Sequence, residues 1–262
     1  MKYNRIDLPK CAMWGYMPDV MQEIRTPRKS IVICPGGGYR FRSEREAEPI
    51  ALVFAAMGFN CFVVEYRVAP AVHPEPLFDV AHAVAWVRAH AEEYNADPNA
   101  IAVMGFSAGG HAAGHLGVRW HEEAMMAEFG LTPEQARPNA MVLCYPVITG
   151  GVHAHRGSFE HLTGTQDLAV HAQYSLENMV SAQTPPTFLW HTFDDGSVPL
   201  ENSLLMASAL KRCGVRTEMH VFLNGGHGLG LCNPLTSTSP YQNVRECAQW
   251  PEMAGRFLHT VL

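Results

Sequence analysis

The sequence predicts an α/β fold in which a mostly parallel, doubly wound sheet carries helices on both faces. Two observations lead to this prediction. Short, nearly continuous apolar runs alternate along the chain with segments whose apolar residues recur every three or four positions. Continuous apolar runs are typical of parallel strands covered on both faces, and their alternation with helices is typical of doubly wound sheets. Since the 262 residues are 47 % hydrophobic and 17 % charged, we expect a single domain spanning 1–262.

The individual elements follow from these two patterns. The predicted strands are 30–34, 60–66, 100–105, 140–145, 187–191 and 217–223, and the predicted helices are 46–57, 77–93 and 200–213. In the second helix, Leu77, Val80 and Val84 belong to one apolar stripe. Gly58 and Gly214 follow the first and third helices, where glycine is the usual C-terminal cap. The elements therefore alternate as a doubly wound sheet requires.

The stretch 149–184 interrupts this alternation. It shows no strong strand pattern, and its composition shifts to His, Gly, Ser and Gln. Long insertions inside compact domains are commonly lids or binding loops. We therefore expect a small lid-like insertion at about 149–184.

Charge and composition exclude several classes of function. The net charge is −6 and no run of basic residues offers a phosphate-binding patch, so we expect no nucleic-acid partner. The longest apolar stretch, 50–59, is too short to cross a bilayer, so we expect no membrane partner. The first nine residues lack an apolar signal core, and the seven cysteines include no CxxC pair. A reducing, cytoplasmic compartment fits these features best.

A serine nucleophile is indicated by the Gly-x-Ser-x-Gly pattern at 105–109. It follows a predicted strand and opens a helical segment, which is the context that this motif requires. Gly105 and Gly109 flank Ser107 by two residues on each side, where any side chain would collide in so tight a turn. The alternative is the glycine-rich turn of a nucleotide-binding fold, but neither phosphate-loop spacing is present. Ser107 is therefore the predicted nucleophile.

A second glycine-rich loop, at 36–38, follows the first strong predicted strand. Backbone N–H groups of such a loop, together with the N–H after the nucleophile, stabilise the oxyanion in this kind of site. We predict Gly37, Gly38 and Ala108 as the three donors. An ordinary turn or a phosphate-binding loop remains the alternative, although no Lys-Ser/Thr follows the glycines.

The predicted general base is His227. The chain has 14 histidines, and His227 is the one that follows a predicted strand in a loop with glycines on both sides. The predicted acid is Asp195, in the loop after the preceding strand, where it would fix the tautomer of the imidazole. The neighbouring Asp194 stays open as the alternative. The chain order Ser107, Asp195, His227 is that of the α/β-hydrolase fold.

No metal or other cofactor is expected. His111 and His115 have a spacing that suits zinc, but no glutamate stands between them as in His-Glu-x-x-His. His153, His155 and His161 of the insertion are explained more simply as the lining of a polar site.

Aromatic and charged residues cluster after the first glycine loop. Tyr39 follows this loop directly, and we predict that it binds substrate as an aromatic platform. Core packing is the expectation for most of the other aromatic candidates, which are Phe41, Phe159, Tyr174 and Trp190. A solvated helix start is the expectation for the charged cluster, which comprises Arg40, Arg42, Glu44 and Arg45.

The chain also resembles a known family over about 31–231. The pieces that carry the resemblance are PGGGYRFRSEREAEPIA, VEYRVAP, GFSAGGH, TPPTFLWHTFDDGSVPLENSLLMASAL and NGGHGLGL. Together they resemble the acetylxylan-esterase-like branch of the α/β-hydrolases. The resemblance implies hydrolysis of short acyl esters, above all acetyl groups on xylo-oligosaccharides and other sugars, with Ser107, Asp195 and His227 as nucleophile, acid and base. Pro35 departs from the histidine that many relatives carry before the glycines, which leaves the anchoring of that loop open.

The sequence therefore leaves three candidate functions. The first is a carbohydrate acetyl esterase acting on a small-molecule or oligosaccharide ester. The second is a general short-chain carboxylesterase or a small serine peptidase, and the third is a non-catalytic binding protein on a hydrolase scaffold. The sequence leaves the oligomeric state open, a homo-oligomer included.

Overall fold

An eight-stranded sheet lies at the centre of the protein in a computed structural model, which describes residues 1–21, 23 and 26–262. The strands are β1 (Lys2–Asp7), β2 (Ala12–Met17), β3 (Arg28–Cys34), β4 (Asn60–Val64), β5 (Ala96–Phe106), β6 (Ala140–Cys144), β7 (Thr187–Thr192) and β8 (Thr217–Phe222). Their order is β1-β2-β4-β3-β5-β6-β7-β8. The pairs from β4 to β8 are parallel, and β1 and β2 add an antiparallel edge. The prediction of a mostly parallel α/β sheet is confirmed.

The helices alternate with the parallel strands. They are α1 (Glu48–Ala56), α2 (Glu75–Ala89), α3 (Ala108–Arg119), α4 (Glu123–Glu128), α5 (Pro133–Ala136), α6 (Arg156–Thr163), α7 (Leu168–Ala172), α8 (Glu201–Arg212) and α9 (Trp250–Val261). Helices α1, α2 and α8 lie where the sequence pattern predicts them. A short 3-10 turn, Glu44–Glu46, precedes α1.

The core has two apolar layers, one on each face of the sheet. One layer joins α2, α3 and α8 to one set of alternating strand residues, such as Val32. The other joins α1 and α9 to the opposite set, such as Ile31 and Ile33. In that layer Trp190 of β7 stacks on Trp250 of α9 with ring centroids 5.4 Å apart. Because both faces are covered, the central strands are fully buried, as their continuous apolar sequences predict.

The insertion predicted at 149–184 lies between β6 and β7 and contains α6, α7 and a 3-10 turn, Leu176–Asn178. Phe159 of α6 is buried, and its ring lies edge-on to His111 of α3 at a centroid distance of 5.3 Å. Thr163 and Gly164 end α6, the latter with a left-handed φ of 70°. The insertion is therefore a helical cover packed on the helix that follows Ser107.

Two general features bear on the composition argument. Within residues 1–21, 23 and 26–262, no helix combines the length and the apolar character that crossing a membrane requires. All seven cysteines are free thiols, and Cys34, Cys61 and Cys144 are buried in strands. Burial raises the pKa of each of these three thiols well above its ordinary value, so they are inert core residues.

Candidate active site

Ser107 lies at the sharp turn between β5 and α3, near the carboxyl ends of the parallel strands. Its backbone is strained, with φ 54° and ψ −120°. A Cβ on Gly105 would lie 2.1 Å from the carbonyl oxygen of Gly109, and a Cβ on Gly109 would lie 2.1 Å from that of Cys34. The two glycines are therefore required sterically, which is the reason the sequence pattern exists.

Ser107, His227 and Asp195 form one hydrogen-bonded chain. His227 Nε2 lies 2.7 Å from Ser107 Oγ, and His227 Nδ1 lies 2.7 Å from Asp195 Oδ2. A carboxylate only accepts, so Nδ1 carries the ring hydrogen in the neutral imidazole and Nε2 is free to accept from the serine hydroxyl. The structure thus brings together the three residues that the sequence nominates, in the order of a nucleophile, a base and an orienting acid.

Asp195 is buried and hydrogen-bonded through both oxygens. Its Oδ1 accepts from the backbone N–H groups of Ser197 and Val198, each at 2.9 Å, and its Oδ2 lies 3.3 Å from His191 Nε2. Burial alone would raise the pKa of Asp195, but the hydrogen bonds from His191 and His227 outweigh it and hold this pKa well below its usual range. Asp194, by contrast, is exposed. The structure therefore places Asp195, not its neighbour, against His227.

The loop predicted as the oxyanion hole lies beside Ser107. Gly37 and Gly38 have φ values of 125° and 64°, which favour glycine. Among the described residues, the N–H groups of Gly37 and Gly38 donate to no protein acceptor. The N–H of Ala108 also has no acceptor within its helix, because Ala108 is the first residue of α3. Three donors are thus free for a substrate oxygen next to the serine.

Glu46 anchors this loop, a role that sequence reasoning missed. Its side chain is 3 % exposed, and its Oε2 accepts from the N–H of Gly36 at 2.9 Å. The hydroxyl of Tyr66 donates to the carbonyl of Pro35 at 2.5 Å. These two bonds fix the loop that contains Pro35.

Glu46 also reaches the loop that carries His227. The hydroxyl of Tyr145 donates to Glu46 Oε1 at 2.6 Å and accepts from the N–H of Gly230 at 3.0 Å. Tyr145 has a left-handed φ of 36°, and its ring lies edge-on to His227 at a centroid distance of 5.2 Å. One buried chain of hydrogen bonds therefore joins Gly36 to Gly230 and supports both loops of the site.

The charged cluster after the glycine loop is only partly a solvated helix start. Arg45 Nη1 donates to the carbonyl of Gly228 at 3.0 Å and to that of Thr236 at 2.8 Å. Gly228 directly follows His227, so Arg45 holds the histidine loop from its other side. For Arg45 the expectation of a solvated role is wrong. Its partners lie more than 180 residues away, and no local pattern indicates them.

A cavity of about 340 Å³ opens at Ser107 and His227. Its walls include Gly37 and Gly38, and the side chains on them include Phe41, His155, His161 and Ser197. A larger cavity of about 650 Å³ lies between the end of α8, the start of β8 and α9, and its lining contains no pair of a nucleophile and a base. The chemistry therefore assigns the smaller cavity as the candidate active site.

The prediction that Tyr39 is an aromatic platform is wrong. Tyr39 is 1 % exposed, its hydroxyl lies 2.9 Å from His111 Nδ1, and its ring packs edge-on to Tyr66. Its backbone has a left-handed φ of 56°, and its side chain lies in the core and not on the cavity wall. The aromatic side chain on the cavity wall is instead Phe41, which is 58 % exposed.

His111 is part of the core beneath the site. Its Nδ1 is paired with the hydroxyl of Tyr39, and its Nε2 lies 2.9 Å from the carbonyl of Tyr174. Burial lowers the pKa of His111 to about 4. Within the described ranges, no cluster of three or more His, Cys, Asp or Glu side chains is arranged to hold a metal ion.

The chain matches a family model and several named proteins. Residues 16–210 match the model of the BD-FAE family. The chain is 36 % identical over 234 residues to an endo-1,4-beta-xylanase B of Butyrivibrio fibrisolvens, with 85 % of this chain and 36 % of the relative covered. It is 32 % identical over 235 residues to an acetylxylan esterase of Xylanibacter ruminicola, with 87 % of this chain and 45 % of the relative covered. The chain thus spans less than half the length of these curated relatives.

A solved structure matches over nearly the whole length of both chains. It is that of an acetyl ester-xyloside bifunctional hydrolase from Caldicellulosiruptor lactoaceticus, with 36 % identity, a TM-score of 0.83, and coverage of 98 % of this chain and 96 % of the other. The sheet order, the strained serine turn and these similarities all indicate the same fold. The chain belongs to the BD-FAE family and has the α/β-hydrolase fold.

Proposed function

We propose that the protein is a serine carboxylic-ester hydrolase that works through an acyl-enzyme. The observation that carries this proposal is the chain of two 2.7 Å contacts from Ser107 through His227 to Asp195, at the wall of an open cavity. The free N–H groups beside the serine support it. A binding protein on this scaffold would need none of these groups.

The reaction follows from the roles of the residues. Ser107 Oγ attacks the ester carbonyl carbon while His227 Nε2 takes the hydroxyl proton. The N–H groups of Gly37, Gly38 and Ala108 stabilise the oxyanion that forms, and one such donor contributes about 2.7–4 kcal/mol of transition-state stabilisation.

Collapse of the tetrahedral intermediate breaks the bond to the alcohol oxygen, which receives the proton from His227. The alcohol leaves and Ser107 stays acylated. Water then attacks the acyl group, with His227 Nε2 taking a proton from the water. Breaking the bond to Ser107 Oγ returns this proton to the serine and releases the carboxylic acid.

We further propose that the natural substrates are acetyl esters of xylo-oligosaccharides or related sugars. Relatives named acetylxylan esterase and acetyl ester-xyloside hydrolase support this substrate class. The cavity supports it independently, because about 340 Å³ suits a small ligand and its wall combines polar side chains with the exposed ring of Phe41. An apolar leaving group against His155, His161 and Ser197 would leave their polar atoms unpaired, so this wall suits a hydroxylated alcohol such as a sugar.

The test is kcat/KM across p-nitrophenyl acetate, butyrate and octanoate, alongside acetylated xylo-oligosaccharides and an aminoacyl p-nitroanilide. We expect the acetate to be cleaved fastest and the octanoate slowest. Ser107→Ala should lower kcat by at least about 10³-fold and should lose labelling by a fluorophosphonate. A maximum at eight carbons would indicate a lipid esterase, faster anilide cleavage a peptidase, and full activity of a folded Ser107→Ala variant would contradict the nucleophile.

A further inference from the structure

Two histidines of the insertion, His155 and His161, lie on the cavity wall. His155 directly precedes α6, and His161 lies six residues further along, within α6. Both line the cavity at Ser107. Among the described residues, Nε2 of neither ring has a hydrogen-bond partner, and neither atom is sealed from solvent. Each Nε2 is therefore available to a ligand.

The partner of Nδ1 determines which ring nitrogen of His161 donates and which accepts. Its Nδ1 lies 3.0 Å from the carbonyl oxygen of Gly38. A carbonyl only accepts, so Nδ1 carries the hydrogen, and in the neutral ring Nε2 is an acceptor.

In His155 the donor and acceptor nitrogens are the other way round. Its Nδ1 lies 2.8 Å from Ser158 Oγ and 3.3 Å from the N–H of Ser158, which also bonds the carbonyl of His155. The N–H only donates. A hydrogen on Nδ1 would point at this donor and would leave the buried Ser158 hydroxyl hydrogen without an acceptor among the described residues. Nδ1 is therefore an acceptor, and in the neutral ring Nε2 of His155 is a donor.

The ring of His155 is neutral at neutral pH. Burial lowers its pKa, and the nearby His227 lowers it further. His161 adds to the same effect, whereas Asp195 opposes it. With both rings in their neutral form, the cavity wall thus carries one donor and one acceptor.

We propose that His155 and His161 together bind a free hydroxyl group of the leaving alcohol, next to the esterified oxygen. His155 Nε2–H donates to the hydroxyl oxygen, and the hydroxyl hydrogen is donated to His161 Nε2. An acetyl group has no hydroxyl, so this pair serves the alcohol side of the ester. The inference rests on the proposed ester hydrolysis and adds a requirement, namely that the preferred substrate is a partly acetylated polyol with an unblocked neighbouring hydroxyl.

Asparagine is the matched substitution at both positions. Its amide matches Nδ1 of histidine in reach but has nothing at the position of Nε2. In His155→Asn the side-chain oxygen still caps α6 through the N–H of Ser158, and in His161→Asn the amide nitrogen still donates to Gly38. His153→Asn is the control, because His153 belongs to the same insertion and does not line the cavity.

The measurement is the ratio of kcat/KM for a monoacetylated xyloside with a free neighbouring hydroxyl to kcat/KM for the same ester with that hydroxyl methylated. The wild type should prefer the free hydroxyl. Each of the two cavity variants should lower the ratio about 3- to 10-fold, the effect of one neutral hydrogen bond. The double variant should lower it by less than the product of the two single effects, since both atoms bind the same hydroxyl. The ratio of His153→Asn should equal that of the wild type.

Two results would overturn the pairing and leave ester hydrolysis intact. One is a wild-type ratio of about 1 together with normal cleavage of p-nitrophenyl acetate, and the other is an unchanged ratio in both single variants. Loss of cleavage of every ester by the wild type would instead overturn the proposed function. Ring ¹⁵N NMR of the wild type at pH 8 checks the polarity without any activity. The hydrogen should be on Nε2 of His155 and on Nδ1 of His161, and the reverse assignment contradicts the inference.

Discussion

Replacing Asp195 by asparagine tests how the site orients His227, because the surroundings dictate how the new amide must lie. Oδ1 of Asp195 accepts from the backbone N–H groups of Ser197 and Val198 at 2.9 Å. The amide NH₂ cannot take that place, since it would face two donors. It must occupy the Oδ2 position, 2.7 Å from His227 Nδ1. His227 then presents a bare Nδ1, carries its hydrogen on Nε2, and no longer accepts the hydroxyl proton of Ser107.

The magnitude follows from the loss of the correct tautomer. Without a general base, kcat should fall by about 10³–10⁴-fold, with the nucleophile and the oxyanion donors still in place. This fall corresponds to about 4–5.5 kcal/mol of transition-state stabilisation. His191 adds a second conflict, because its Nε2 donates to the carbonyl of Val198 and lies 3.3 Å from Asp195 Oδ2. We therefore expect a lower melting temperature as well.

The assay is kcat and KM on p-nitrophenyl acetate, with folding checked by circular dichroism. Asp194→Asn is the matched control, because Asp194 is exposed and has the same charge. We expect Asp195→Asn to lower kcat with little change in KM, and Asp194→Asn to stay within about twofold of the wild type. A folded Asp195→Asn variant within tenfold of the wild type would refute the tautomer argument. A larger loss in Asp194→Asn would move the acid to that residue.

Two further predictions concern stability. Glu46→Ala leaves the N–H of Gly36 and the hydroxyl of Tyr145 buried without their acceptor, so the free energy of unfolding in urea should fall by about 2–5 kcal/mol; an unchanged midpoint would contradict the role of Glu46. Acid should destabilise the protein through His111, whose pKa is lowered by burial to about 4. The unfolded chain takes up this proton near pH 6.5, and the folded chain takes it up only near pH 4. The free energy of unfolding therefore falls as the pH is lowered between these values. At pH 5 this group should have lowered it by about 2 kcal/mol. Equal urea midpoints at pH 7 and pH 5 would exclude this coupling.

The sequence was sufficient where a local pattern has a local physical cause. The central parallel strands are continuous apolar runs because both faces are covered, and the predicted positions of the parallel strands are confirmed. Strand β1 was missed because it is mostly exposed and polar, so it lacks the apolar signature. The short apolar run of β2 was also missed, although it is mostly buried. The glycines around Ser107 are dictated by contacts within the turn itself. Helix α9, which closes the second apolar layer, was not predicted, although Trp250, Ala254 and Leu258 recur along it at the spacing of a buried helical stripe.

Three other features depend on burial and on the direction of a side chain in the folded protein. Asp194 and Asp195 are adjacent in sequence, and their difference lies in burial and in the two backbone N–H groups that face only Asp195. Tyr39 is adjacent to the glycine loop, but its backbone has a positive φ and its ring lies in the core. Proximity along the chain does not specify the direction of a side chain. Glu46 illustrates the same limit, because its partner Tyr145 is 99 residues away.

The position of Glu46 explains how the site tolerates Pro35. Proline has no N–H to donate, so the loop around it needs anchors from elsewhere. The N–H of Gly36 uses Glu46 Oε2, and the other oxygen of Glu46 is bound to the Tyr145 hydroxyl that also holds Gly230. The proposed oxyanion donors and the loop of His227 are thereby fixed to one buried carboxyl group before substrate arrives. Donors that are held in place need no reorganisation when charge develops on the substrate oxygen, which is the condition under which they stabilise a transition state most.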